Sequence, residues 1–175
     1  MIIPGELIAF LTFPGVIVHE IGHQLMCRWF RVAVFDVCYY RWGNPAGYVV
    51  HEPPRTQFQS LLIGIAPFLA NTVIGAIIAL PAAIPVFTFE SGSVIDYVLI
   101  WLGVSITMHA FPSTGDAASI WAAVRSRGTG LATRVIATPI VGLIYLGALG
   151  SFFWLDVFYG IAVAAALPAA LVRIL

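Results

Sequence analysis

The chain has 175 residues, of which 61% are hydrophobic and only 9% are charged, and its formal net charge is zero. Its mean hydropathy is +0.99. Soluble domains carry roughly 45–50% apolar and about 25% charged residues, so this composition excludes an ordinary soluble domain and a disordered chain. A neutral chain gives no reason to expect nucleic acid as a partner. Two cysteines are too few for a disulfide framework. We therefore expect an all-α polytopic membrane protein.

Five apolar stretches are long enough to cross a bilayer, which requires about 20 apolar residues. They cover residues 3–30, 58–81, 94–124, 131–153 and 157–175. Glycine and proline inside them are acceptable, because neighbouring helices can satisfy the freed backbone groups. The N-terminus has no basic segment and no small-residue cleavage site, so we expect the first stretch to be retained. Residues 1–175 are treated as one membrane-embedded domain, with a core over residues 5–125 and accessory helices over 131–175.

The basic residues set the expected orientation, since the chain has eight arginines and no lysine. They flank the connections between the first and second and between the third and fourth stretches, or lie near the C-terminus: Arg28, Arg31, Arg41, Arg55, Arg125, Arg127, Arg134 and Arg173. With five spans, all of them fall on one side, which the positive-inside rule identifies as the cytoplasm. This pattern predicts a multi-pass protein of the cell membrane with its N-terminus outside and its C-terminus in the cytoplasm.

The segment from Arg31 to His51 is not a membrane span. Aromatic and β-branched residues lie on both sides of a turn cluster at residues 44–47, which is typical of a β-hairpin. We expect this hairpin over residues 32–50, at the cytoplasmic face. Two interpretations are open: the hairpin caps the helices, or it offers an edge strand that pairs with an extended peptide.

His19, Glu20 and His23 form an H-E-x-x-H motif inside the first apolar stretch. On a helix the two histidines face the same way and can bind one Zn²⁺, while the glutamate can reach a water on the metal. Ionisable groups inside a membrane span are costly, so they indicate function by default. The alternative is a buried hydrogen-bond network without a metal.

Asp116, in the third apolar stretch, is the candidate for the third protein ligand that a catalytic zinc requires. It lies nine residues before Arg125, and His19 lies nine residues before Arg28. At 1.5 Å per residue both groups are then about 13 Å from a cytoplasmic helix end, at the same depth. Pro112 would open the helix locally, which suits a ligand-bearing segment. The alternative for Asp116 is an Asx turn at the end of a span.

Of four further polar residues, His109 and Asn71 have more than one interpretation. His109 is seven residues before Asp116 and on the same helical face, so it is a second-shell partner, a substrate contact, an alternative ligand or a satisfied core residue. Asn71 either joins helices or donates a hydrogen bond to a carbonyl or oxyanion. Cys27 is expected to pack in the core, and His51 is expected at the solvated surface.

Together these residues resemble the site-2 protease family of intramembrane zinc metalloproteases. The H-E-x-x-H motif lies within an apolar helix at residues 19–23. Residues 66–71 are similar to the family's Gly-Pro-x-x-Asn segment, and Pro112 followed by Asp116 is similar to its Pro-then-Asp-Gly segment. The order of the three features and the β-rich connection also match. The resemblance covers the three-helix core at residues 5–125.

The resemblance implies a zinc metalloendopeptidase that hydrolyses membrane-spanning or membrane-proximal polypeptides within the lipid bilayer. One Zn²⁺ per chain would be held by His19, His23 and Asp116. Glu20 would take the proton of the attacking water and deliver it to the leaving amine. Asn71 and, more weakly, His109 would steady the substrate or the developing oxyanion.

Two other classes of function stay open at this stage. One is a non-proteolytic membrane scaffold with a structural zinc or none. The other is a transporter in which four ionisable residues relay protons or metal ions, namely His19, Glu20, His23 and Asp116. An inverted repeat would favour transport, and the sequence shows none. Ala66 and Ala117 stand where the resembled family usually has glycine.

Overall fold

The protein is mostly helical and carries one small antiparallel sheet, as the sequence predicts. The structure is a computed structural model that describes residues 4–126 and 130–174. The helices are α1 Gly5–Leu11, α2 Phe13–Trp29, α3 Gln57–Phe87, α4 Val94–Met108, α5 Thr114–Arg125, α6 Leu131–Gly150, α7 Leu155–Ile161 and α8 Leu167–Ile174. A π-helical turn at Ala162–Ala166 joins α7 to α8. The strands are β1 Val34–Cys38 and β2 Tyr48–His51.

Three helices begin at capping boxes, in which the residue before the helix and the residue three positions later satisfy each other's backbone N–H groups. The pairs are Thr56 with Gln59 in α3, Ser93 with Asp96 in α4 and Ser113 with Asp116 in α5. The third box restarts the chain after α4, so the third apolar stretch is broken between Met108 and Thr114. The predicted opening of the helix around Pro112 is therefore confirmed.

Five separate membrane spans are not confirmed. Within the described ranges, α3 alone is long and apolar enough by itself to cross a membrane. The α1–α2 pair meets the same measure as one span bent by 88°, and residues 134–150 with 155–171 meet it as one span bent by 96°. Helix α4 is apolar but shorter. The last two predicted stretches therefore correspond to helical segments that meet at a sharp bend.

Polar side chains point inward and large apolar side chains point outward along the helices. Asn71 and Thr107 are fully buried, and His23 is 6% exposed. Conversely, Leu25 on α2 and Ile77 on α3 are 57% and 62% exposed. Extended apolar surfaces of this kind indicate contact with another apolar phase or partner. Inside the bundle, Asn71 Nδ2 and the Thr107 hydroxyl donate to backbone carbonyl oxygens.

The most extensive contact between helices joins α3 to α4 through small residues. A Cβ added to Gly75 would lie 2.7 Å from the carbonyl oxygen of Gly103, and one added to Gly103 would lie 2.6 Å from the Cβ of Ala79. Small residues four positions apart let helix backbones approach closely, as in membrane helix pairs. This contact fixes the end of α4 beside α3.

The predicted hairpin is present and lies along α2, while its expected position at the cytoplasmic face stays a prediction. Strands β1 and β2 pair antiparallel, with Cys38 opposite Tyr48. The hairpin runs back along α2: the Tyr39 hydroxyl donates to Gln24 Oε1 over 2.6 Å, and the ring of Tyr40 lies 5.9 Å from that of Phe13. The chain reverses after α2 at Arg31, which has a positive φ of 55°, so the strands must return beside the helix that precedes them.

One end of the bundle is basic. The end of α2 packs on the start of α3 through Cys27 and Ile63, and Gln57 Nε2 donates to Ser126 Oγ over 3.4 Å. Val124 and Ala137 share a buried cluster, which brings the start of α6 to the same end. The exposed arginines at this end are Arg28, Arg31, Arg55, Arg125 and Arg134. Arg127 belongs to the same connection but lies outside the described residues.

Arg41 and the C-terminal helices depart from the expected arrangement. Arg41 lies in the hairpin next to Trp42, whose ring is 5.7 Å from that of Phe10 in α1. Arg41 is therefore near the start of α2 and away from the basic end. Gly160 packs on Met108, and Ala164 packs on Gly103, so α7 and α8 run antiparallel to α4 and away from the basic end.

Candidate metal centre

Two helices bring three potential ligands together. His19 and His23 lie on successive turns of α2, and Asp116 lies in the first turn of α5. The Nε2 atoms of the two histidines are 3.2 Å apart. His23 Nε2 is 3.2 Å from Asp116 Oδ1, and His19 Nε2 is 3.9 Å from Asp116 Oδ2. The equal depth predicted for these groups is therefore confirmed, and one potential ligand atom from each residue falls within 4.8 Å of the others.

His19 is oriented by the break between α4 and α5. Its Nδ1–H donates to the carbonyl oxygen of His109 over 2.8 Å. This carbonyl is available because α4 ends at Met108 and the N–H of Ser113, four positions after His109, donates to Asp116 Oδ2 instead. The hydrogen bond fixes the tautomer, so the neutral ring turns its Nε2 lone pair toward Asp116.

His23 is oriented in the same way by α3. Its Nδ1–H donates to the carbonyl oxygen of Ile63 over 2.9 Å. In a regular helix that carbonyl would accept from the N–H of the residue four positions on, but this residue is Pro67, which has none. The histidine takes the place of the missing helical donor, and its Nε2 lone pair also faces Asp116.

The geometry of the three residues fits a zinc ion. Tetrahedral zinc with ligands at about 2.0–2.2 Å places those ligands about 3.3–3.6 Å from one another. Two of the separations given above, 3.2 Å each, are close to this range, and the third, 3.9 Å, is longer. Both Nδ1 protons are given to backbone carbonyls, as is usual for metal-binding histidines. Two imidazole lone pairs and a carboxylate then converge without a donor among them, which is an arrangement that attracts a cation.

Asp116 has a structural task as well as a place in this cluster. Its Oδ2 accepts from the backbone N–H of Ser113 and from the Ser113 hydroxyl, each over 2.7 Å. Its Oδ1 is left to face His23. The turn interpretation and the ligand interpretation of Asp116 are thus compatible, because each uses a different oxygen.

Glu20 is buried beside the cluster, with 7% of its surface exposed. It lies in the wall of a cavity of about 560 Å³ together with His19, His23 and Asp116. The turn of the hairpin covers it, and Gly47 lies directly against its side chain. The side chain of Glu20 therefore lines a space that it shares with all three potential ligands.

A second cavity, of about 460 Å³, lies between the start of α3 and the middle of α5, and Arg55 is part of its wall. The two cavities share His23, Asp116, His51 and Ser119. The three-residue cluster therefore lies at their junction, with space on both sides. His51 is half-buried here, in contrast to the solvated surface position expected from the sequence.

Asn71 joins helices and lines neither cavity. Its Nδ2 donates to the carbonyl oxygens of Gly15, Ile106 and His109 over 3.0, 3.0 and 3.1 Å. The side chain is completely buried, so the predicted contact with substrate or an oxyanion is not supported by its position. Its connection to the site is indirect, through the same His109 carbonyl that orients His19.

His109 contributes its backbone to the site. Its ring Nε2 donates to Thr12 Oγ1 over 2.8 Å, since the Thr12 hydroxyl gives its own proton to the Ile8 carbonyl. The expectation that His109 shares a helical face with Asp116 is wrong, because the chain breaks between them. The ring is directed to the α1–α2 break, and no direct metal ligation by it follows. Cys27 is fully buried and packs with Val32 and Ile63, as predicted.

Sequence reasoning missed Gly47, His51 and Ser119 as neighbours of the site. Ser119 follows Asp116 by one helical turn, so its presence could have been inferred from helical spacing. Gly47 and His51 depend on where the hairpin lies. Residues 34–42 in extended form span about 30 Å, comparable with the roughly 25 Å length of the 17-residue α2, so a hairpin folded back on α2 was a readable alternative.

The fold and the site together define a helical, largely apolar protein with a candidate metal centre buried between α2 and α5. Comparison with protein-family models, with curated protein sequences and with solved structures gives no match to this chain. The function is therefore argued below from the geometry of the site.

Proposed function

We propose that this protein is a zinc-dependent endopeptidase that acts within the membrane, as the resemblance to site-2 proteases implies. The observation that carries the proposal is the convergence of His19, His23 and Asp116 in a cavity wall that also holds the carboxylate of Glu20. A metal-binding cluster serving structure alone has no need of an adjacent buried carboxylate or of open space on two sides.

The proposed mechanism assigns a distinct task to each residue of the site. His19, His23 and Asp116 would hold the zinc ion, which when bound would supply Lewis acidity and lower the pKa of water. The carbonyls of His109 and Ile63 keep the two imidazoles aimed, and Ser113 holds the aspartate. Glu20 accepts a proton from water at its carboxylate and passes it to the leaving amine.

The substrate segment would bind in extended form. A membrane helix hides its amide bonds, so it must unwind before hydrolysis. Within the described residues β2 is paired on one side only, with β1, and Tyr48 and Val49 line the larger cavity. An extended peptide can pair with the other edge of such a strand. The cavities on either side of the cluster give room for both sides of the scissile bond.

The proposed membrane arrangement has four crossings, which are α1–α2, α3, α4–α5 and α6–α8. It rests on the bent helix pairs and on the antiparallel course of α7 and α8 beside α4. The basic end is assigned to the cytoplasm by the positive-inside rule. Both termini then lie on the outer side, whereas five spans would bring the C-terminus to the cytoplasm.

Single-cysteine labelling distinguishes the two arrangements. In a Cys27→Ser, Cys38→Ser background, we expect Ser91→Cys and Ala170→Cys to react with a membrane-impermeant maleimide from the same side of intact cells. Ser126→Cys, at the basic end, should react only after permeabilisation. Labelling of Ala170→Cys together with Ser126→Cys would support five crossings and contradict four.

Replacement of Glu20 by glutamine tests the peptidase proposal directly. We expect the detergent-purified wild type to contain one zinc per chain and to cleave fluorescein-labelled casein, an unfolded polypeptide. Glu20→Gln should keep its zinc and cleave at least about 100-fold more slowly, since it removes the proton acceptor but no ligand. Zinc content is measured by mass spectrometry of the metal and cleavage by fluorescence.

The control is Glu90→Gln, which makes the same chemical change at an exposed position between α3 and α4. It should match the wild type in both measurements. Unchanged cleavage by Glu20→Gln would rule out Glu20 as the base. A wild type that binds zinc but cleaves no casein would favour the scaffold.

A further inference from the structure

The turn of the hairpin lies directly on the side chain of Glu20, and this contact requires glycine at position 47. Gly47 is buried, and a Cβ added to it would lie 2.8 Å from Glu20 Cγ and 2.9 Å from Glu20 Oε1. Optimal contacts between carbon atoms are about 3.5–4.0 Å. Gly43 is the glycine of the described residues with a positive φ, so the backbone conformation at Gly47 does not itself demand glycine.

The hairpin and α2 are both fixed around this contact. On the hairpin side, Tyr39 is hydrogen-bonded to Gln24, and Trp42 packs on Phe10. On the opposite side of α2, Gly22 lies so close to Pro67 that an added Cβ would be 3.2 Å from the proline Cα. An extra methyl group at position 47 would therefore displace the Glu20 side chain more readily than either backbone.

We propose that Gly47 is a positioning residue that sets the place of the Glu20 carboxylate. The hairpin would then be part of the catalytic apparatus as well as a possible edge for substrate. This inference rests on the proposed function, because it assigns the contact a role in proton transfer. A hairpin that merely caps the helices would tolerate a methyl group at this point without a specific effect on turnover.

A double-variant cycle with Glu20→Asp tests the inference. Aspartate is shorter than glutamate by one methylene, so it withdraws from the space that an alanine at position 47 would occupy. We expect Gly47→Ala to lower kcat on casein by about 10- to 100-fold with little change in KM, because a displacement of about 1 Å is costly to catalysis. In the Glu20→Asp background the same change should cost less than about 3-fold. Independent effects would multiply.

Two further measurements separate positioning from general damage. Gly47→Ala should keep its zinc, because no ligand is altered. Gly142→Ala is the matched control, since a Cβ added to Gly142 meets nothing within 4 Å. It should match the wild type in kcat and zinc content. A Gly47→Ala variant with wild-type kcat, or one whose loss is equally large in the Glu20→Asp background, would overturn the inference.

A stability cycle tests the contact without relying on activity. We expect Gly47→Ala to lower Tm by about 5 °C through overpacking and expect most of this loss to vanish in a Glu20→Ala background. Additive Tm changes would show that the two residues do not press on each other, and the inference would fail. A wild type inactive on casein would instead refute the proposed function and, with it, the catalytic role of Gly47, while the Tm cycle would still report the contact.

Discussion

Asp116→Asn is expected to weaken zinc binding by more than about 100-fold, because it replaces the charged ligand of the cluster by a neutral amide; even changes to residues that only support metal ligands cost 10- to 100-fold. The asparagine oxygen can still accept from the N–H of Ser113, so the first turn of α5 should keep its cap. The affinity is measured by competition with a fluorescent zinc chelator, on the detergent-purified protein.

The chain supplies a close control for this change. Asp96 caps α4 as Asp116 caps α5: its Oδ2 accepts from the Ser93 N–H over 2.8 Å and from the Ser93 hydroxyl over 2.6 Å. No histidine is grouped with it in a potential metal site within the described residues. Asp96→Asn should therefore shift Tm about as much as Asp116→Asn does, yet leave zinc affinity unchanged. Wild-type zinc affinity in Asp116→Asn would remove Asp116 from the ligand set.

Asn71→Ala is expected to destabilise the protein by roughly 2–3 kcal/mol, since it removes hydrogen bonds to three backbone carbonyls inside the helix bundle. The corresponding fall in Tm is about 5–10 °C for a chain of this length. Zinc affinity should fall by less than about 10-fold, because the His109 carbonyl keeps its bond from His19. Thermal unfolding in detergent gives the Tm.

Thr72→Val is the neighbouring control for Asn71→Ala. The Thr72 hydroxyl bonds to the Phe68 carbonyl and to Tyr159, so its loss should cost only about 1 kcal/mol. If Asn71→Ala kept the wild-type Tm but lost cleavage of casein, the residue would act on substrate, as the resemblance to site-2 proteases implies, and its helix-joining role would be wrong.

The grouping of His19, His23 and Asp116 could be predicted from the sequence because it depends on local spacing and on depth. His19 and His23 share a helical face through the four-residue spacing, and counting residues to the nearest arginine places Asp116 at the same level. Prolines and capping signals also indicate the break in the third apolar stretch. These properties are local, and tertiary packing left them unchanged.

The position of the hairpin and the role of Asn71 depend on contacts between distant segments. The sequence of residues 32–50 does not indicate whether the strands extend away from α2 or return along it. Their direction is set by the reversal of the chain at Arg31. The amide of Asn71 is chemically able to donate hydrogen bonds either to a substrate or to backbone carbonyls. It donates to backbone carbonyls because the break between α4 and α5 places them around it. The periodicity of one segment does not reveal this arrangement.

The five predicted spans are not confirmed, and the reason is again a contact between segments. Hydropathy measures whether a stretch is apolar and long, but it does not give the direction of the chain. The turn at Ser151–Phe153 redirects the chain by 96° between two apolar helical segments, so the last two stretches meet at a bend. The position of Arg41 likewise depends on the hairpin, which a count of charges along the chain does not include.

The carbonyl of Ile63, which has no helical donor, makes His23 and α3 depend on each other. In an apolar phase an unpaired backbone carbonyl costs several kcal/mol of free energy, so the hydrogen bond from His23 stabilises α3 even when no metal is bound. In return, this carbonyl orients the ring of His23. Removing the imidazole of His23 would therefore weaken both the coordination of the ion and the adjacent helix α3. Loss of zinc in a His23 variant would therefore not separate a ligand from a structural support, whereas the aspartate, whose structural partner Ser113 lies on its own helix turn, allows that separation.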